Sequence, residues 1–113
     1  MIRLTVYRNK GICRGFRAQG HAEYAESGTD IICAAVSVLT TNTANSIEML
    51  TGDAVESEEK NGFLSCRFPN GLSEKGELLM ESMLLGLRQI AEIRDDKSGK
   101  PFLTLNIEED KSC

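Results

Sequence analysis

Tryptophan is absent from the 113 residues, and the aromatic side chains amount to two Tyr and four Phe. So small a stock leaves few platforms on which nucleobases stack. Basic residues are not in excess either: 13 Lys and Arg stand against 17 Asp and Glu, a formal charge of −4. A chain of that sign repels phosphate backbones, and no direct nucleic-acid partner is expected. No apolar run approaches the ~20 residues that a bilayer-crossing helix needs, so no membrane is expected as a partner. Residues Met1 to Arg8 lack the basic segment and apolar run of a secretory leader. The four cysteines, Cys13, Cys33, Cys66 and Cys113, include no CxxC pair. Reduced thiols in a cytoplasmic chain fit that pattern. A phosphate-cradling glycine loop, a serine elbow and a paired-carboxylate arrangement are all missing, and no cofactor is expected.

What is present suits an ordinary globular domain, with 41% hydrophobic and 27% charged residues. The length allows one domain over 1–113, large enough to bury a core without staples. Ile2, Leu4 and Val6 alternate with Arg3 and Thr5, the period of a half-buried strand. Asn9-Lys10-Gly11 supplies turn chemistry, and Ile12 to Ala18 reads as the return strand. Gly20 to Gly28 is polar and bounded by glycines, the pattern of a mobile loop. Asp30 is a good N-cap for a helix with an apolar stripe of Ile32, Val36, Leu39, Thr43, Ile47 and Leu50, stopped by Gly52.

Ala54 to Lys60 and Phe63 to Phe68 flank Asn61-Gly62, a hairpin signal in which both turn residues take positive φ. Ser73 caps a second helix with Leu79, Met80, Met83, Leu84, Leu87, Ile90 and Ala91 on its apolar face. Gly76 and Gly86 in that helix suggest close packing against a sheet. Leu103, Leu105 and Ile107 alternate as a last strand before a charged tail. The fold class is therefore α+β in the order β-β-α-β-β-α-β, with two helices on one face of a largely antiparallel sheet.

The chemistry concentrates on His21, the sole histidine, and Cys33. With Asp30 as cap, Cys33 falls at the third helical position, where free N–H groups and the helix dipole favour a thiolate. A cysteine nucleophile with a histidine base is a standard route to acyl transfer. The same first-turn N–H groups are candidates for an oxyanion hole. The plain readings stand beside these. Cys33, between Ile32 and Ala34, equally suits a small core residue, His21 a polar loop residue, and Asp30 a cap alone. Ser37 suits a bond to neighbouring backbone. Cys13, His21, Cys33 and Cys66 could make a Cys₃His zinc site only without the short ligand spacings such sites use, so no metal is assigned. Cys13 and Cys66 are expected in the core and Cys113 exposed. Glu56, Glu58 and Glu59 form an acidic run, read as a solvated edge that could contact a basic substrate.

Gly20-His21-Ala22, followed by Gly28-x-Asp30-Ile31-Ile32-Cys33-Ala34-Ala35-Val36-Ser37, closely resembles the ribosomal-processing cysteine protease family (Prp, YsxB-like). The likeness extends over essentially the whole chain. It implies a bacterial cytoplasmic endopeptidase that removes the short N-terminal extension of a large-subunit ribosomal protein, the twenty-seventh. It also implies Cys33 as nucleophile, His21 as general base and then acid, supporting places for Asp30 and Ser37, and a homodimer. On this reading the segment from Gly20 to Gly28 is a lid that orders when substrate binds. A noncatalytic ribosome-assembly module holding the same protein is the alternative, and a small zinc protein stands third.

Overall fold

A computed structural model describes residues 1–20 and 29–109, apart from the side chains of Thr29 and Asp30. The strands and α-helices are β1 (Ile2–Asn9), β2 (Ile12–Gln19), α1 (Thr29–Ser46), β3 (Glu56–Lys60), β4 (Phe63–Arg67), α2 (Glu74–Ala91) and β5 (Leu103–Glu109). The order is the one expected from the sequence. One five-stranded sheet runs β3-β4-β2-β1-β5. Three of its pairings are antiparallel, and β1 and β5 run parallel. A parallel pair requires a crossover connection rather than a hairpin, and α2 lies on that path.

Alternation sorts the sheet into two faces. Ile2, Leu4 and Val6 of β1 are buried together with Cys13, Phe16 and Ala18 of β2, Cys66 of β4 and Leu103 of β5. Against them pack Ile32, Val36, Ala44 and Ile47 from the first helical segment, and Met80, Met83, Leu84 and Leu87 from α2. Each such apolar side chain contributes roughly 1.5–3 kcal/mol by leaving water. Among the described residues, no helix covers the opposite face of the sheet.

Four local features differ from the sequence reading. First, α1 passes at Ile47 into a π turn, Ile47–Thr51, closed by Gly52 at φ +79°. The wider turn shifts the stripe, so Thr51 is the half-buried residue after Ile47 and Leu50 is 74% exposed. Gly52 is the expected stop. Second, the turn with both central residues at positive φ is Lys10-Gly11 (φ 52° and 81°), not Asn61-Gly62, where only Gly62 is positive. Third, β3 starts at Glu56 rather than Ala54, and all five of its residues are exposed.

Fourth, the helix glycines do not face the sheet. A Cβ on Gly86 would stand 3.2 Å from Leu39 Cδ1 on α1, and one on Gly76 would collide with the Asp53 carboxylate. That carboxylate accepts from both Ser73 N (3.0 Å) and Ser73 Oγ (2.9 Å). Ser73 Oγ in turn accepts from Gly76 N at 3.2 Å, the expected N-cap of α2.

Candidate active site

The helix that carries Cys33 begins at Thr29, one residue before the expected cap. Asp30 therefore lies within the first turn, and Cys33 is the fifth helical residue rather than the third. Its own amide falls inside the intrahelical ladder, not among the orphan donors that an oxyanion hole needs. The Asp30 side chain lies outside the described residues, as do His21 and the rest of the segment to Gly28, and Cys113.

Cys33 is half-buried: it packs against the hydrophobic core and also opens on a groove of about 260 Å³. Cys33, Val36, Ser37, Thr40 and Thr41 form one wall, at the three- and four-residue spacing of a single helix face. Thr40 Oγ1 donates to Val36 O at 2.8 Å, which settles that buried hydroxyl within the helix. Ser37 is exposed, and among the described residues its hydroxyl has no hydrogen-bond partner. Its carbonyl is what takes part locally, accepting from Thr40 Oγ1 at 3.3 Å. The expected bond from the Ser37 side chain to backbone is not made among the described residues, and Ser37 lines the groove.

The facing wall was not foreseen as part of a site. It is the β3–β4 hairpin, Glu59 to Leu64, with Ile2, Ala18, Gln19 and Gly20 from the neighbouring strand ends. β2 pairs with β4 so that Gln19 faces Phe63, and Gly20 N donates to Gly62 O at 2.9 Å. Gly20 itself is demanded by crowding, since a Cβ there would collide with the Met1 carbonyl. Of the acidic run, Glu59 reaches the groove, while Glu56 and Glu58 stay on the exposed edge strand.

The other two described cysteines lie in the core, as expected. Burial pushes the Cys13 thiol up to about 11, and burial with the neighbouring Cys13 and Glu48 pushes Cys66 up to about 12. Neither thiol lines the groove, so Cys33 is the one described cysteine that a ligand there can meet. No cluster of three His, Cys, Asp or Glu that could hold a metal occurs among the described residues. Nor is any helix among them long and apolar enough to cross a membrane.

Comparison with known proteins identifies the family. The family model of the cysteine protease Prp matches residues 1–97. The ribosomal processing cysteine protease Prp of Bacillus subtilis is 34% identical over 98 residues, 80% of this chain and 87% of the relative. Among solved structures, SMU.848 from Streptococcus mutans is similar with a TM-score of 0.73 and 31% identity, over 97% of this chain and 99% of that one. The S. aureus ribosomal processing protease Prp, solved with a covalently linked product peptide, is similar with a TM-score of 0.75 and 25% identity, over 95% and 99%. With a thiol set in a groove and a family match along most of its length, this chain belongs to the cysteine protease Prp family, and it is a cysteine protease.

Proposed function

We propose that the protein is a ribosomal-processing endopeptidase that removes the N-terminal extension of a large-subunit ribosomal protein, the twenty-seventh, in the cytoplasm. Cys33 is the nucleophile. Its sulfur adds to the scissile carbonyl carbon, the amine half leaves with a proton from the imidazolium of His21, and water then hydrolyses the thioester. The observation that carries the reading is the position of Cys33 on the wall of an open groove, while Cys13 and Cys66 are sealed in the core. Two further features support it. His21 is joined by one peptide bond to Gly20, a groove residue, and the Ser37 hydroxyl, without a partner among the described residues, lines the same groove as Cys33 and could meet a substrate amide. Asp30, in the first turn of the same helix, takes a supporting place. The relatives named as ribosomal processing proteases supply the substrate class.

A homodimer is part of the proposal. The exposed Val38 and Met49 of the first helical segment and Leu78 and Leu85 of α2 are large apolar side chains that a second copy would cover.

Intact-mass analysis tests the proposal. The purified chain, Cys33→Ala and His21→Ala are each incubated with the extended ribosomal protein. The expected result is one discrete N-terminal loss with wild type and none with either variant. Binding of the ribosomal protein without cleavage by wild type would instead establish the noncatalytic assembly module.

A further inference from the structure

The chain is acidic as a whole, yet the three adjacent strands β4, β2 and β1 contain five arginines and no carboxylate. Arg8 is taken up on the helix side by Glu77 (3.5 Å) and Glu81 (3.4 Å). The other four, Arg3, Arg14, Arg17 and Arg67, have no ion-pair partner among the described residues. Arg67 lacks one even though Glu56 is its register partner on β3. Pairing Arg3↔Gln19, Thr5↔Arg17 and Tyr7↔Gly15 across β1 and β2, and Arg17↔Ser65 and Gly15↔Arg67 across β2 and β4, sets these side chains on the helix-free face.

A β-bulge builds the centre of this surface. Register shifts between Tyr7 and Arg8, so Arg14 is an extra residue on β2 beside Gly15. Such insertions re-aim a side chain. Gly15 is kept small because a Cβ would stand 2.5 Å from the Cys66 carbonyl oxygen. The result is a cavity of about 150 Å³ rimmed by Tyr7, Arg14, Arg17, Ser65 and Arg67, with no carboxylate in its lining. Arg14 Nε is buried and has no hydrogen-bond partner among the described residues, a donor that is costly to leave unsatisfied. The Arg17 guanidinium lies 5.8 Å from the Tyr7 ring centroid and 5.9 Å from that of Phe63. Two aromatic rings thus share the face with the arginines.

We propose that this open sheet face binds single-stranded RNA, successive phosphates pairing with Arg3, Arg14, Arg17 and Arg67 while bases stack on Tyr7 and Phe63. Planar guanidinium forks match phosphate oxygens, and an aromatic-bearing sheet is a known platform for unpaired bases. An acidic peptide would satisfy the arginines but has no use for the rings. The −4 charge of the whole chain is no obstacle, because charges beyond about 8 Å are screened at physiological ionic strength. The cavity shares no lining residue with the Cys33 groove, whereas Phe63, which meets Arg17, also lines that groove.

The test is fluorescence anisotropy of the full chain with a labelled 12-nucleotide oligouridine. Four phosphate contacts give a log–log salt slope of about −2.8, so affinity should fall about 50-fold between 50 and 200 mM salt. Arg17→Gln/Arg67→Gln should weaken binding and halve the slope, to about a sevenfold fall over the same range. Tyr7→Ala should cost about fivefold or more with the slope unchanged, the signature of lost stacking. Circular dichroism melts confirm that each variant is folded. The proposal is overturned by no binding at 50 mM salt, by RNA affinity indifferent to the arginine pair, or by a labelled oligoglutamate of equal charge binding as tightly.

Discussion

Selective alkylation of Cys33 in the native protein follows from how the three described cysteines are placed. Cys13 and Cys66 are 0% and 1% exposed, and burial holds their thiols at about 11 and about 12. At pH 8 a thiol held near 11 is thiolate in about one molecule in a thousand, and one near 12 in about one in ten thousand. An ordinary exposed thiol, titrating near 8.5, is about one quarter ionised at that pH. Ionisation alone therefore slows Cys13 about 250-fold and Cys66 about 2500-fold against such a thiol, before steric occlusion is counted. The assay labels the native Cys113→Ser protein with iodoacetamide at pH 8, unfolds it, marks the remaining thiols with a heavy reagent and quantifies each cysteine peptide by mass spectrometry. One equivalent at Cys33 should precede any label at Cys13 or Cys66. Label at either core position within tenfold of the Cys33 rate would refute the placement of the thiols.

Two further perturbations address the core. The Glu77 carboxylate accepts the Cys13 amide of the bulge at 3.0 Å and meets Arg8 on its other oxygen, so Glu77→Ala should destabilise by about 2–3 kcal/mol in urea unfolding. Glu77→Gln, which keeps an acceptor for that amide, should lose about half as much. Because Cys13 and Cys66 are held neutral in the fold, the unfolded chain ionises first on the alkaline side. Stability should be unaffected by them below pH 9 and decline as pH rises from 9 through about 11. A series of urea midpoints from pH 7 to 11 should show this, with a flatter decline in Cys13→Ala/Cys66→Ala.

The element order was legible because local patterns agree with tertiary burial here. Ile2, Leu4 and Val6 alternate and are buried, and Ser73 caps α2 through the bond its side chain was expected to make. Leu50 was misread because periodicity assumes 3.6 residues per turn, and nothing local announces the π turn at Ile47. The turn type at Asn61-Gly62 was misassigned because strand twist and register decide it as much as the turn residues. Lys10 accepts a positive φ that composition would have given to Asn61. Of the groove, the sequence singled out Cys33 but not the hairpin wall. Glu59 to Leu64 reaches the groove only through the pairing of β4 with β2, which separates the two walls by some thirty positions in the chain.

The same reasoning explains why the arginine face escaped composition. Net charge averages over the molecule, whereas a sheet collects residues by register. Arg3, Arg17 and Arg67 are fourteen and fifty positions apart in the chain, and neither interval is a motif. Pairing Arg17 with Thr5 and Ser65, and Arg67 with Gly15, brings them onto three neighbouring strands, while the glutamates of β3 and β5 are left at the two edges. The acidic residues thus set the charge of the chain without setting the charge of this face. Nor does folding compensate within the sheet. Arg8 finds carboxylates because α2 supplies Glu77 and Glu81, but among the described residues no helix covers the side on which the remaining arginines lie. A stable fold does not require three guanidinium groups, without a carboxylate partner among the described residues, around a glycine-floored cavity. A polyanionic ligand accounts for both the missing carboxylates and the bulge that adds Arg14.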